Sequence, residues 1–145
     1  MLPGVELRAE IAIDAPPDRV WAVLTDLPGH ADWNPFMPHV AGELRPGSHL
    51  DVVLCPPGTG DWPIRPEVTA VEPGVELRWK ARYLLWGLVR GERFFRLVPA
   101  DGGTRVLQGE DLRGPLVGLF GALVTGIARG LVYMNQALKR RVEGR

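Results

Sequence analysis

At 145 residues, with 46% hydrophobic and 23% charged side chains, the chain has the composition of one ordinary globular domain over residues 1–145. Seventeen basic and seventeen acidic residues cancel, which removes the basic footprint expected of a nucleic-acid binder. The single Cys55 excludes an intrachain disulfide framework and a cysteine-based zinc cluster, and no basic-then-apolar leader opens the chain, so a cytoplasmic protein is expected.

Leu7, Ala9, Ile11 and Ile13 alternate with Glu6, Arg8, Glu10 and Ala12, the period of a half-buried strand over Val5–Ile13. Pro16, Pro17 and Asp18 suit a helix start, and Val20, Val23, Leu24 and Leu27 keep helical spacing up to Pro28-Gly29. A second short helix or turn holds His30–Trp33 and ends at Asn34-Pro35. Strands are expected at Met37–Leu44, Ser48–Leu54, Ile64–Glu72, Val75–Tyr83, Gly91–Pro99 and Thr104–Leu112. Their separators are turn chemistry, among them Arg45-Pro46-Gly47, Pro73-Gly74 and Asp101-Gly102-Gly103. A long apolar helix, Gly114–Arg145, closes the chain. Its most apolar run, Leu116–Ala128, is shorter than the roughly 20 residues of a membrane span and meets Arg129, so a buried helix and no stable membrane insertion are expected.

The Asp101-Gly102 step sets a register. A two-residue loop there pairs Ala100 with Gly103, and outward from it Leu97 faces Val106, Phe95 faces Gln108, and Arg93 faces Glu110. Strand parity turns Arg93, Phe95, Leu97, Val106, Gln108 and Glu110 toward the helix side. One amphipathic helix covering a whole antiparallel sheet readily leaves a cavity. Its expected lining is Leu77, Trp79, Phe95, Leu97, Val106, Leu123 and Ile127. Arg93 and Glu110 are expected to pair there as its main polar feature, and direct pairing would hold the Glu110 carboxyl low, against a catalytic role. Were the lining side chains to fill the space completely, a protein-interaction role would gain over ligand binding.

Other chemistry is thin. His30, His39 and His49 have no helical i, i+4 pairing, so neither a metal nor any other cofactor is expected. Ser48 and His49 are adjacent on a strand and point to opposite faces. Cys55 has no base beside it in sequence and reads as an idle thiol. Gly118, Gly121, Gly126 and Gly130 in the closing helix either allow close packing on the sheet or leave room for a ligand.

The order of elements, one strand, short helices, six strands and a long helix, is that of the helix-grip fold. Pro17 with Val20-Trp21 and Val23-Leu24-Thr25-Asp26, then Trp33-Asn34-Pro35-Phe36, Leu77-Arg78-Trp79, Gly91-Glu92-Arg93-Phe94-Phe95, Asp101-Gly102-Gly103-Thr104-Arg105 and Gly114-Pro115-Leu116 follow in sequence. Together they resemble the SRPBCC superfamily, also known as the START or birch-pollen-allergen-like fold, nearest its bacterial polyketide cyclase/dehydrase-like branch. The resemblance covers essentially the whole chain. It implies an α+β architecture with a seven-stranded antiparallel sheet wrapped around the C-terminal helix and two short helices closing one end. It places Trp33 and Phe36 at a pocket entrance. Trp62, in the Pro/Gly-rich loop between strands, is a further lid candidate, and Tyr83, Leu84, Leu85 and Trp86 beside Gly87 form another apolar loop. Bacterial members often carry His where this chain has Arg93 and Gln108, so imidazole chemistry at those places is missing here. The resemblance implies binding or carriage of a small hydrophobic molecule, a lipid, isoprenoid or polyketide-like aromatic. A cyclase, dehydratase or aromatase using the same pocket is the first alternative, and a co-chaperone-like interaction module using the Trp62 and Trp86 loops the second. Homodimerisation stays open.

Overall fold

In the computed structural model, which describes residues 4–83 and 88–144, the Asp101-Gly102 step is a tight turn with φ of 49° and 80°. Both central residues of a mirror-image turn need positive φ, which Gly adopts freely and Asp tolerates. The turn joins the two longest strands, β7 (Arg90–Ala100) and β8 (Gly103–Arg113). Their register is the expected one: Leu97 opposite Val106, Phe95 opposite Gln108, Arg93 opposite Glu110. Around them lie β1 (Gly4–Ile13), β5 (Glu67–Glu72) and β6 (Glu76–Arg82), giving an antiparallel sheet in the order β1-β8-β7-β6-β5.

The expected seven-stranded sheet is instead a five-stranded sheet and a separate three-stranded one. The smaller sheet holds β2 (His39–Ala41), β3 (Asp51–Leu54) and β4 (Trp62–Ile64). The single strand expected over Ile64–Glu72 breaks at Arg65-Pro66, because Pro66 has no N–H to offer a ladder. The chain changes sheets there. Leu50 N–H still donates to Pro66 O at 2.9 Å, and Val68 N–H to Ser48 O at 2.8 Å, so the two sheets remain stitched.

Both expected short helices form, as α1 (Pro17–Thr25) and α2 (His30–Trp33). The long helix is shorter than expected. A 3₁₀ turn at Val117–Leu119 precedes α3 (Gly121–Glu143). The two ends of α3 differ. The first turn has no side-chain cap. At the other end Gly144, at φ 77°, closes the helix in the left-handed cap conformation. Arg19 Nη2 donates to Val142 O at 2.9 Å, and Asp14 N–H to Glu143 Oε2 at 2.8 Å.

The apolar interior has two parts. The larger lies under the N-terminal two-thirds of α3 and includes Phe36, Leu77, Trp79, Phe95, Leu123, Ile127, Leu131 and Met134. The smaller joins Ile13, Val20, Leu97, Val106, Leu138 and Val142 beneath its C-terminal turns.

Candidate functional site

Arg93 projects inward from the middle of β7 and is 1% exposed. Its Nη2 donates to Gln108 Oε1 at 2.6 Å and meets Met134 Sδ at 3.4 Å. Gln108 Nε2 in turn donates to Asn135 Oδ1 on α3. The guanidinium carbon lies 4.7 Å from the centre of the Phe36 ring and 4.9 Å from that of Phe95, so aromatic faces flank the charge. Phe36 reaches this position because Asn34 Oδ1 accepts from the backbone N–H groups of Phe36 and Met37, at 3.0 and 2.9 Å. Asn34 Nδ2 donates to His30 Nδ1 at 2.9 Å, and His30 Nε2 donates to Leu24 O at 2.8 Å. Burial holds the His30 imidazole below its ordinary value, in the neutral form these bonds need. His30 is thus a satisfied core histidine.

Glu110 faces Arg93 across the hairpin, but the expected ion pair does not form. The two side chains turn to different neighbours. Tyr83 O–H donates to Glu110 Oε1. Gly91 makes this approach possible: a Cβ there would stand 2.5 Å from Tyr83 Cε2 and 2.7 Å from Glu110 Oε1. Burial raises the Glu110 carboxyl, partly opposed by the nearby Arg93 charge and the Tyr83 bond. Burial likewise raises the Tyr83 hydroxyl and lowers the Arg93 guanidinium. The expectation that Arg93 would hold Glu110 low is therefore reversed, since no direct contact offsets the loss of water. Among the described residues four buried polar atoms find no hydrogen-bonding partner: Arg93 Nε and Nη1, Glu110 Oε2 and Asn135 Nδ2.

The expected open cavity is not present among the described residues. Leu77, Trp79 and Phe95 close against Leu24, Leu27, His30, Met37 and Val40, and the space left there does not admit a water molecule. Leu123 and Ile127 are buried in the same cluster. Leu97 and Val106 pack into the smaller cluster at the far end of α3 and do not join the others. Trp33 is half-buried, its ring 4.7 Å from that of His30 and in contact with both clusters. Phe36 is buried to 1%, in the core and not at an entrance. Trp62 is half-buried and donates from Nε1 to Thr59 Oγ1 at 3.2 Å. Leu84, Leu85 and Trp86 lie outside the described residues.

Cys55 donates to Asp61 Oδ1 at 3.2 Å, and burial followed by Asp61 pushes its thiol up to about 11. Among the described residues no three His, Cys, Asp or Glu side chains gather closely enough to hold a metal, and no helix is long and apolar enough to cross a membrane.

Sequence reasoning missed Asn135 and Met134 at the helix side of the cluster, and Gly91 beneath Tyr83. Asn135 left a signal: it falls on the apolar stripe of α3 beside Leu131 and Leu138, where an unpartnered amide is out of place.

No curated protein matches the sequence. Solved structures match its fold. The aromatase/cyclase Zhui from Streptomyces sp. R1128 superposes with a TM-score of 0.76 at 18% identity, covering 99% of this chain and 96% of that one. The protein Ara h 8.0201 superposes with a TM-score of 0.74 at 12% identity, covering 99% and 100%. The protein TTHA0849 from Thermus thermophilus gives 0.72 at 23%, covering 97% and 98%. At these identities the likeness establishes the helix-grip fold and no activity. The sequence itself carries the identification further: the model of the family described as "Polyketide cyclase / dehydrase and lipid transport" matches residues 4–143, and the chain, with its sheet, its closing helix and its polar cluster between them, belongs to that SRPBCC-type family.

Proposed function

We propose that the protein binds a small hydrophobic molecule, of lipid, isoprenoid or aromatic polyketide type, between α3 and the five-stranded sheet, with one polar group of the guest meeting Arg93, Glu110 and Asn135. The observation that carries this reading is the set of unpartnered buried atoms. A buried donor or acceptor without a partner costs about 1–3 kcal/mol, and more where charge is involved. Four of them in one cluster, with Phe36, Phe95 and Met134 against Arg93 and Trp79 paired beside it, suit a guest with an apolar body and an oxygen that Arg93 Nε or Nη1 can reach. The family supports the same class of ligand. Because side chains fill the interior, binding requires them to move apart. That filling is what favours the interaction-module reading. Against that reading, Trp62 packs on the core.

A second reading, an enzyme of cyclase or dehydratase type in the same space, gains from Glu110. A carboxyl raised by burial, bonded by Tyr83 and close to a cation, is a general acid in waiting. The test for binding is titration with 1-anilinonaphthalene-8-sulfonate, which joins fused apolar rings to a sulfonate. Saturable binding is expected, weakened about tenfold in a folded Arg93→Met variant, the effect of one charge-assisted contact. Binding that is absent, or equal in the variant, sinks the polar-anchor reading. Native mass spectrometry of protein from its own host then separates the classes: a retained small molecule supports a carrier or enzyme, and only bound protein supports the interaction module.

A further inference from the structure

The outer face of the five-stranded sheet, on the side away from α3, carries an arrangement that the interior site does not use. Arg82 on β6 lies opposite Arg90 on β7, and Arg90 lies opposite Arg113 on β8. Strand parity turns all three outward, and all three are exposed. Like charges placed directly opposite one another destabilise a strand pair, so an uninterrupted row across three strands calls for a counter-charge.

The neighbouring carboxylates do not provide it. The next row inward holds Glu67, Lys80, Glu92 and Asp111 in mutual register. Glu92 accepts from Arg78 Nη1 at 2.9 Å, and Asp111 from Arg8 Nη1 at 2.7 Å. Both bonds draw the acids toward the middle of the sheet. There Arg8, Arg78 and Arg96 cover the ring of Phe94 at 4.9, 4.9 and 5.4 Å, which keeps those arginines and their acids in place. Arg113 reaches Glu6 at only 3.6 Å, and Arg82 and Arg90 have no ion pair among the described residues. The arginine row lines a groove of about 920 Å³ that extends to Lys80, to His49 and to Arg65, which pairs with Asp51 at 3.1 Å; Glu67, Glu92 and Asp111 also line it, so its five cations outnumber its three carboxylates.

We propose that this groove is a second binding site, for a small soluble oligoanion carrying two or more phosphate groups. The guanidinium fork donates two parallel hydrogen bonds to one phosphate, and strands about 4.8 Å apart set neighbouring forks at a spacing that successive phosphates can bridge. The groove has the volume of a small-molecule pocket, typically about 300–1,000 Å³, and its concavity suits such a molecule better than a flat bilayer. Its occupant is held outside the sheet, so this site stands or falls independently of the interior one.

The test is calorimetric titration of the full chain with inorganic pyrophosphate, at ionic strength held constant with sodium chloride. One saturable site is expected. The Arg82→Gln/Arg90→Gln variant should bind about tenfold more weakly or worse, the loss expected for charge-assisted contacts. Arg82→Lys/Arg90→Lys, which keeps the charge and removes the fork, should fall between the two. Arg105→Gln, on the same face but bonded to Glu10, should bind as the wild type does. No saturable heat with the wild type, or equal affinity in the glutamine variant, overturns the site. Association with phosphatidylserine-containing vesicles but not with pyrophosphate overturns its assignment to a soluble ligand.

Discussion

Arg93 and Glu110 stand directly opposite one another at the centre of the β7–β8 hairpin, both 1% exposed, and each turns away from the other, Arg93 to Gln108 and Glu110 to Tyr83. This divergence changes what their removal does. A direct buried pair would lose about 3–5 kcal/mol when one partner is deleted. Here Arg93→Met removes a buried cation with two unpartnered nitrogens and leaves an apolar chain of similar length among Phe36, Phe95 and Met134. Gln108 Oε1 loses its donor, which costs about 1–3 kcal/mol, while relief of the buried charge returns about as much. Stability in urea should therefore stay within about 1 kcal/mol of the wild type. A loss above about 3 kcal/mol would mean that the two residues act as a pair after all.

Glu110 gives stability a pH dependence of definite sign. Its folded value lies above the ordinary 4.5, so the protonated carboxyl favours the fold. That contribution is fully present below 4.5 and is lost as pH rises through the folded value. His30 works in the other direction: its folded value lies below 6.5, so its contribution is lost as pH falls beneath 6.5. Unfolding midpoints measured from about pH 4 to 8 should decline on the alkaline side in the wild type and flatten there in Glu110→Gln. An unchanged alkaline slope in the variant would assign the decline to another group.

The four glycines expected in the closing helix, of which Gly118 lies in the 3₁₀ turn before it, separate into two kinds. A Cβ at Gly130 would stand 2.3 Å from Phe36 Cδ1, and one at Gly126 would stand 2.9 Å from both Pro56 Cβ and Pro57 O. Those two serve close packing. Gly118 and Gly121 meet nothing within 4 Å. Gly130→Ala should therefore destabilise by about 1–3 kcal/mol through overpacking, even though Ala favours helix by about 1 kcal/mol. Gly121→Ala should stabilise by up to about 1 kcal/mol. Thermal melts of the two variants shifting in the same direction would contradict this division.

Cys55 should be slow to alkylate. Its thiol is pushed from 9.0 to about 11, about two pH units and so roughly a hundredfold less thiolate at neutral pH. Asp61→Asn removes the negative charge beside the thiol and should speed reaction with iodoacetamide without affecting the fold. A wild-type rate equal to that of a free thiol would show that the Asp61 contact does not persist in solution.

How much of this was legible in the sequence depended on how local the signal was. The hairpin register was readable because two residues, Asp101 and Gly102, fix both the turn type and every pair outward from it. The inward face followed from parity alone. What parity cannot supply is the path of a long side chain after Cβ, so Arg93 and Glu110 were correctly placed and wrongly joined. The split of the sheet at Pro66 depends on which partner strand each half finds, a contact distant in sequence. Phe94 broke the alternation for a related reason: it points outward, yet three arginines from β1, β6 and β7 bury it, and Gly109 opposite leaves room for its ring.

The unequal ends of α3 make the helix a lever. Its fulcrum lies at Val142, where contacts with Arg19, Asp14 and the smaller apolar cluster hold the last turns. Its free arm begins at Gly121, without a cap, above Leu123 and Ile127. Tilting such a lever widens the interior most beneath the first turns and hardly at all beneath Leu138. Amide exchange along α3 should accordingly form a gradient, fastest near Gly121 and slowest near Leu138, and a guest should flatten that gradient from the free end inward.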